Sequence, residues 1–163
     1  MRGQMTPFHS VVATCAVLAV IASAQASSKT TVVFVCEHGA ARSVIAAAYF
    51  NKLAAERHLQ YRAIARGTSP QDDLSPAAVE GLKADGVPFD TAKPRPLTEA
   101  DAAEAVRIVA FCPVPKSYAS VVRVDQHDDV PSMADYRGAR DVIVGYVRQV
   151  LDDLEAGART SRP

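Results

Sequence analysis

The chain carries no excess of charge: 18 basic residues face 18 acidic ones, for a formal net charge of zero. That balance gives no general attraction to nucleic acid or to an anionic membrane surface. There is no internal repeat, no low-complexity tract and no block of like charge, which excludes solenoids and charged tails. Cysteine occurs three times and histidine four times, scattered with no Cys/His grouping of zinc type, so no metal or other cofactor is expected. Long apolar runs are also missing. The longest, Val11 to Ala22, is broken only by Thr14 and is too short to span a bilayer comfortably.

That run has another reading. Arg2 supplies a short basic start, and Ala24-Gln25-Ala26 places small residues where a signal peptidase cuts. Residues 1–26 are therefore expected to be a signal peptide, with a retained anchor as the alternative, and residues 27–163 to form one domain that is secreted or periplasmic. No stable membrane span is expected after cleavage. Two cysteines then remain, Cys36 and Cys112, in a compartment where a close pair can oxidise. Hydrophobic residues make up 48% of the chain and charged ones 22%, an ordinary globular balance.

One segment concentrates the chemistry. The apolar run Thr31-Val32-Val33-Phe34-Val35 leads into Cys36, five residues follow (Glu37-His38-Gly39-Ala40-Ala41), and Arg42-Ser43 opens a helical pattern. Strand, short loop and helix in that order wrap backbone N–H groups around one tetrahedral oxyanion, with the helix N-terminus adding positive potential. A sulfur nucleophile at the start of such a loop points to phosphoryl transfer to sulfur. The competing reading is a small buried thiol ending a core strand, with Arg42 solvated.

The rest of the chain alternates. A helix is expected from Ser43 to about Glu56, and a strand from Tyr61 to Ala65. Another helix is capped by Ser75 with Pro76 at its first position and stopped at Gly86. A short helix follows a capping box at Thr98–Asp101. Strands are expected over Val106–Phe111 and Val121–Val124. A long amphipathic helix runs from Tyr136 to Leu154. This pattern predicts a parallel sheet with right-handed crossovers, covered on both faces, and a ligand site at the carboxyl ends of the strands, where Cys36 falls.

The Cys-x5-Arg-Ser sequence after an apolar first strand resembles the low-molecular-weight protein tyrosine phosphatases and the related thioredoxin-coupled arsenate reductases. The likeness runs from about Thr31 to about Leu154 and includes Arg66-Gly67-Thr68, Leu74-Ser75-Pro76-Ala77-Ala78-Val79 and Asp128-Asp129-Val130-Pro131. It implies an α/β fold: a single three-layer domain with a four-stranded parallel sheet in the order 2-1-3-4. It also implies hydrolysis of phosphate monoesters, phosphotyrosine-like, through a thiophosphate intermediate. Cys36 would be the nucleophile, and the groups holding phosphate would come from Glu37, His38, Gly39, Ala40, Ala41, Arg42 and Ser43. In the resembled phosphatases an Asp just before Pro protonates the leaving oxygen. Asp129 is the nearest match although Val130 intervenes, and Asp128 is its rival. Gly39 stands where the family usually has Asn, and the aromatic residues flanking the phosphatase cleft have no clear match. In the arsenate reductases a resolving cysteine lies near the position of Cys112, so the alternative activity is arsenate reduction by Cys36 and Cys112 with a thioredoxin-type reductant as partner. A third alternative is a domain that binds a phosphorylated group or small oxyanion without turnover.

Overall fold

The computed structural model of the chain describes residues 29–160. The expected signal peptide, residues 1–26, lies outside the described residues. The elements are β1 (Thr31–Cys36), α1 (Arg42–Glu56), β2 (Arg62–Gly67), α2 (Pro76–Ala84), α3 (Glu99–Glu104), β3 (Ala105–Ala110), a 3-10 turn (Lys116–Ser120), β4 (Val124–Gln126) and α4 (Tyr136–Thr160). All strand pairings are parallel, and the order is β2-β1-β3-β4, as the resemblance implied.

β1 is central, and all six of its residues are buried. This is why its sequence reads as a continuous apolar run rather than an alternation: a parallel strand covered on both faces has no solvent side. Its side chains divide between two cores. Val32, Phe34 and Cys36 face the layer built by α1, α2 and α4, where Phe34 meets Phe50 edge-on at 5.8 Å and stacks on Phe111 at 6.3 Å. Val33 and Val35 face a smaller core with Ala102, Ile108 and Val122. Helices therefore cover both faces, and among the described residues no helix is long and apolar enough to cross a membrane.

Local signals held at several ends. Pro76 opens α2 and Gly86 beyond its end takes φ +65°, whereas Ser75 occupies the N-cap position without making a side-chain cap bond. The Thr98 hydroxyl accepts from Asp101 N, and the Asp101 carboxylate accepts from Thr98 N, so both halves of the capping box are present. Several bounds shift, β3 occupying Ala105–Ala110 instead of Val106–Phe111 and α4 running on past Leu154 to Thr160. The second strand starts one residue later than expected and runs on to Gly67, because pairing with β1 extends to Cys36 opposite Gly67. The fourth strand occupies Val124–Gln126 instead of Val121–Val124. Val121 N and Val122 N both donate to Tyr118 O, which commits that backbone to the turn before the sheet begins.

Candidate active site

Cys36 ends β1 and Arg42 starts α1, so the five residues between them form a loop at the carboxyl edge of the sheet. A second loop braces it from outside. Thr68 N donates to Cys36 O at 3.2 Å, Ser69 N to Glu37 O at 2.8 Å, Gln71 N to His38 O at 3.3 Å and Ser75 N to Ala40 O at 3.0 Å. In a trans peptide the C=O and the following N–H point in opposite directions. Holding the carbonyls of residues 36, 37, 38 and 40 outward therefore turns the N–H groups of Glu37, His38, Gly39 and Ala41 the other way. Among the described residues, the N–H groups from Glu37 to Ala41 find no acceptor.

The close fit depends on two glycines. Gly39 has φ +63°, in the left-handed region. A Cβ there would lie 2.8 Å from Gly67 N, and one on Gly67 would lie 2.8 Å from Gly39 N. Only a residue without a Cβ lets the loop lie this close to the end of β2.

The start of α1 is equally unsatisfied. Its N-cap is Ala41, which makes no side-chain cap bond, and no acidic residue sits in the first turn. Alanine is a poor N-cap, so the free N–H groups of that turn and its dipole are left to act on whatever enters the loop. Arg42 behaves similarly. One terminal nitrogen donates to Val130 O at 3.3 Å and Pro131 O at 3.4 Å. Its Nε is buried and unpartnered among the described residues. A buried donor without an acceptor costs about 1–3 kcal/mol, which an oxyanion oxygen would recover.

The sulfur lies within this ring of donors. Cys36 Sγ is 3.1 Å from Ser43 Oγ, and Ser43 is fully buried. Cys36 is 6% exposed, yet it lines an open cleft of about 520 Å³ together with Glu37, His38, Ala40, Ala41, Arg42, Gln71, Ser75, Pro76, Ser132 and Met133. Glu37 and His38 are exposed, and His38 Nδ1 lies 3.3 Å from Ser69 O.

Cys112 follows β3, beside the end of β1, and is partly exposed. Burial pushes its thiol up, Thr68 Oγ1 at 3.8 Å pulls it back, and the nearby charges of Cys36, Glu37 and Asp128 push it up again, for a net rise. Both cysteines are free thiols. Among the described residues no group of three His, Cys, Asp or Glu side chains is placed to hold a metal ion.

The two acidic candidates are not brought to the cleft. Asp129 is exposed, and its two carboxylate oxygens accept from Tyr146 Oη at 2.7 and 2.6 Å. That bond holds its carboxyl below the usual range. Asp128 accepts from Gln126 Nε2 at 3.2 and 3.1 Å. Sequence reasoning missed the contribution of residues 132 and 133 to the cleft wall, and it missed Thr68, Ser69, Gln71 and Ser75 as the brace. Pro70 and Leu74-Ser75-Pro76 were the visible signs that this segment is a shaped loop.

A sulfur, a ring of main-chain donors and a guanidinium thus meet at the carboxyl end of a parallel sheet. The chain belongs to the low molecular weight phosphotyrosine protein phosphatase family, whose model matches residues 31–153. No curated protein matches it. Its fold is shared with a mutant of YwlE from Bacillus subtilis, at 22% identity and TM-score 0.67, over 77% of this chain and 99% of that one. It is shared with a low molecular weight protein tyrosine phosphatase from T. tengcongensis, at 20% identity and TM-score 0.65, over 76% and 99%. A thioredoxin-dependent arsenate reductase from Corynebacterium glutamicum is similar at 22% identity and TM-score 0.63, over 81% of this chain and 65% of that one.

Proposed function

We propose that the chain is a cysteine-dependent phosphatase that hydrolyses phosphate monoesters through a thiophosphate intermediate on Cys36. The observation that carries this reading is the set of unpaired donors around the sulfur: the loop N–H groups and Arg42 Nε. Arg42 and the amides hold the three equatorial phosphoryl oxygens, while Cys36 Sγ attacks phosphorus and Ser43 Oγ hydrogen-bonds the sulfur. Preorganised donors of this kind are worth about 3 kcal/mol each in the transition state. Water then cleaves the S–P bond and releases phosphate. With residues 1–26 removed as a signal peptide, the enzyme works outside the cytoplasm.

The test is hydrolysis of p-nitrophenyl phosphate by the wild type, Cys36→Ala and Cys36→Ser. Turnover by the wild type and its loss in both variants supports the reading. Turnover that survives both substitutions removes Cys36 from the chemistry, and phosphate binding without turnover leaves an oxyanion-binding domain.

Arsenate reduction is a second reading, favoured by the position of Cys112 at the adjoining strand end, where Thr68 touches both cysteines through its N–H on Cys36 O and its Oγ1 on Cys112 Sγ. One structural relative is a thioredoxin-dependent arsenate reductase. On this reading the Cys36 thiolate displaces an oxygen of arsenate as water to form an S–As bond. The Cys112 thiolate attacks Cys36 Sγ, and the S–As bond breaks with its electron pair staying on arsenic. As(III) leaves as arsenite while the Cys36–Cys112 disulfide forms, to be reduced by a thioredoxin-type dithiol. Arsenate-dependent oxidation of thioredoxin, abolished by Cys112→Ser, supports it, and its absence in the wild type refutes it.

A further inference from the structure

In-line attack expels the leaving oxygen on the side of phosphorus opposite the sulfur, so a group that protonates it must reach across the cleft from Cys36. The loop after β4 contributes Ser132 and Met133 to the cleft. Ser132 Oγ accepts from Ala134 N at 3.3 Å, and a serine hydroxyl is no acid at neutral pH. Asp129, three residues earlier, is turned to α4, with both oxygens on Tyr146, whose ring stacks on His127 at 3.7 Å. Among the described residues, the one carboxyl residue lining the cleft is Glu37, whose N–H belongs to the cradle and whose side chain is exposed. Residues 1–28 and 161–163 contain no Asp or Glu that could fill the position.

Resting on the phosphatase reading, we propose that this cleft is built for phosphate carried on an acidic oxygen, an acyl phosphate or the phosphate of an electron-poor phenol, whose leaving group departs as an anion without a proton from the protein. In the first step the S–P bond forms, the P–O bond breaks, and the electron pair stays on the departing carboxylate or phenolate. In the second step water adds to phosphorus, the S–P bond breaks, sulfur leaves as thiolate, and both water protons remain on the phosphate product. A carboxylic acid ionises near pH 4 and an unsubstituted phenol near pH 10, so the first leaves readily as an anion and the second does not. Phosphotyrosine, an ester of such a phenol, is accordingly a poor substrate.

The test compares kcat/KM of the full chain for acetyl phosphate, p-nitrophenyl phosphate and phenyl phosphate, with Cys36→Ser as the blank. A general acid contributes about 100-fold or more, so phenyl phosphate is expected at least about 100-fold below the other two. Asp129→Asn is expected to change none of the three values by more than about threefold. Phenyl phosphate turned over as fast as p-nitrophenyl phosphate overturns the proposal. So does a selective loss of phenyl phosphate turnover in Asp129→Asn, Glu37→Gln or His38→Asn, which would identify the missing acid. Hydrolysis of none of the three by the wild type refutes the phosphatase reading itself, and the proposal falls with it.

Discussion

Replacing Gly39 with alanine separates steric fit from backbone strain, because the fold contains its own control. Gly39 and Gly86 share nearly the same backbone angle, φ +63° and +65°. Around Gly86 a new Cβ meets nothing within 4 Å; at Gly39 it meets Gly67 N at 2.8 Å, with Arg66 C and Gly67 Cα both at 3.1 Å. Those are backbone atoms of β2, fixed by pairing with β1, and they cannot swing aside. The left-handed angle costs an alanine about 1–2 kcal/mol at either site. Both variants also regain the same small amount from a stiffer unfolded chain, which cancels in the comparison. Overpacking adds about 1–3 kcal/mol at Gly39 alone. Gly39→Ala is thus expected to lose about 2–5 kcal/mol and Gly86→Ala about 1–2 kcal/mol. In urea the extra term moves the midpoint down by about 1 M at unchanged slope. Phosphate affinity is expected to fall in Gly39→Ala, because relieving the clash moves the N–H groups of residues 38–40, and to stay unchanged in Gly86→Ala. Equal midpoints for the two variants would show that the loop does not press against β2, and the cradle geometry would be wrong.

Ser43→Ala removes the hydroxyl 3.1 Å from Cys36 Sγ. It is expected to lower kcat about tenfold, the kinetic equivalent of one hydrogen bond, with the circular dichroism spectrum preserved. The Arg66–Asp101 pair, with contacts at 2.8 and 2.9 Å, fixes the start of α3 against β2. Burial alone would raise the Asp101 carboxyl, but the Arg66 fork and the Thr98 bonds outweigh it and hold it below 3.8. A depressed folded value makes the pair's stabilisation whole above pH 3.8 and lost as acid titrates through the lower folded value. Urea melts of wild type and Asp101→Asn are expected to differ at pH 6 and to converge once the pH has fallen through the lowered folded value. A gap that persists in acid would remove ionisation as its cause.

Much of this site lay open in the sequence because it is local. Seven consecutive residues, Cys36 to Arg42, set strand end, loop and helix start, while the brace from Thr68 to Ser75 turns their amides inward. The Thr98–Asp101 box and the Ser75-Pro76 start are legible for the same reason. What the sequence hid depends on distant partners. Arg66 lies just past the expected strand end at Ala65, yet it pairs with Val35 within β2 and its guanidinium meets Asp101 on α3. Arg107 interrupts an apolar run, yet it is buried against Asp125 and Asp153, one from the next strand and one from α4. Asp129 sits in the expected loop, but its direction is decided by Tyr146, a residue that shows in the sequence only as one apolar position of an amphipathic helix. The placement of β4 likewise turned on a backbone turn around Tyr118 that carries no glycine or strong turn signal at its close.

The cradle consists of main-chain donors gathered about one sulfur, and amide NMR reads those donors directly. Titrating the 15N-labelled chain with inorganic phosphate is predicted to shift the N–H resonances of Glu37 to Ser43 downfield, as new hydrogen bonds form, together with the Arg42 Nε–H signal. The N–H signals of Thr68, Ser69, Gln71 and Ser75, already bonded to the cradle's carbonyls, are predicted to move less. Saturating phosphate that leaves residues 37–43 unmoved, or that shifts a different region instead, would contradict that arrangement.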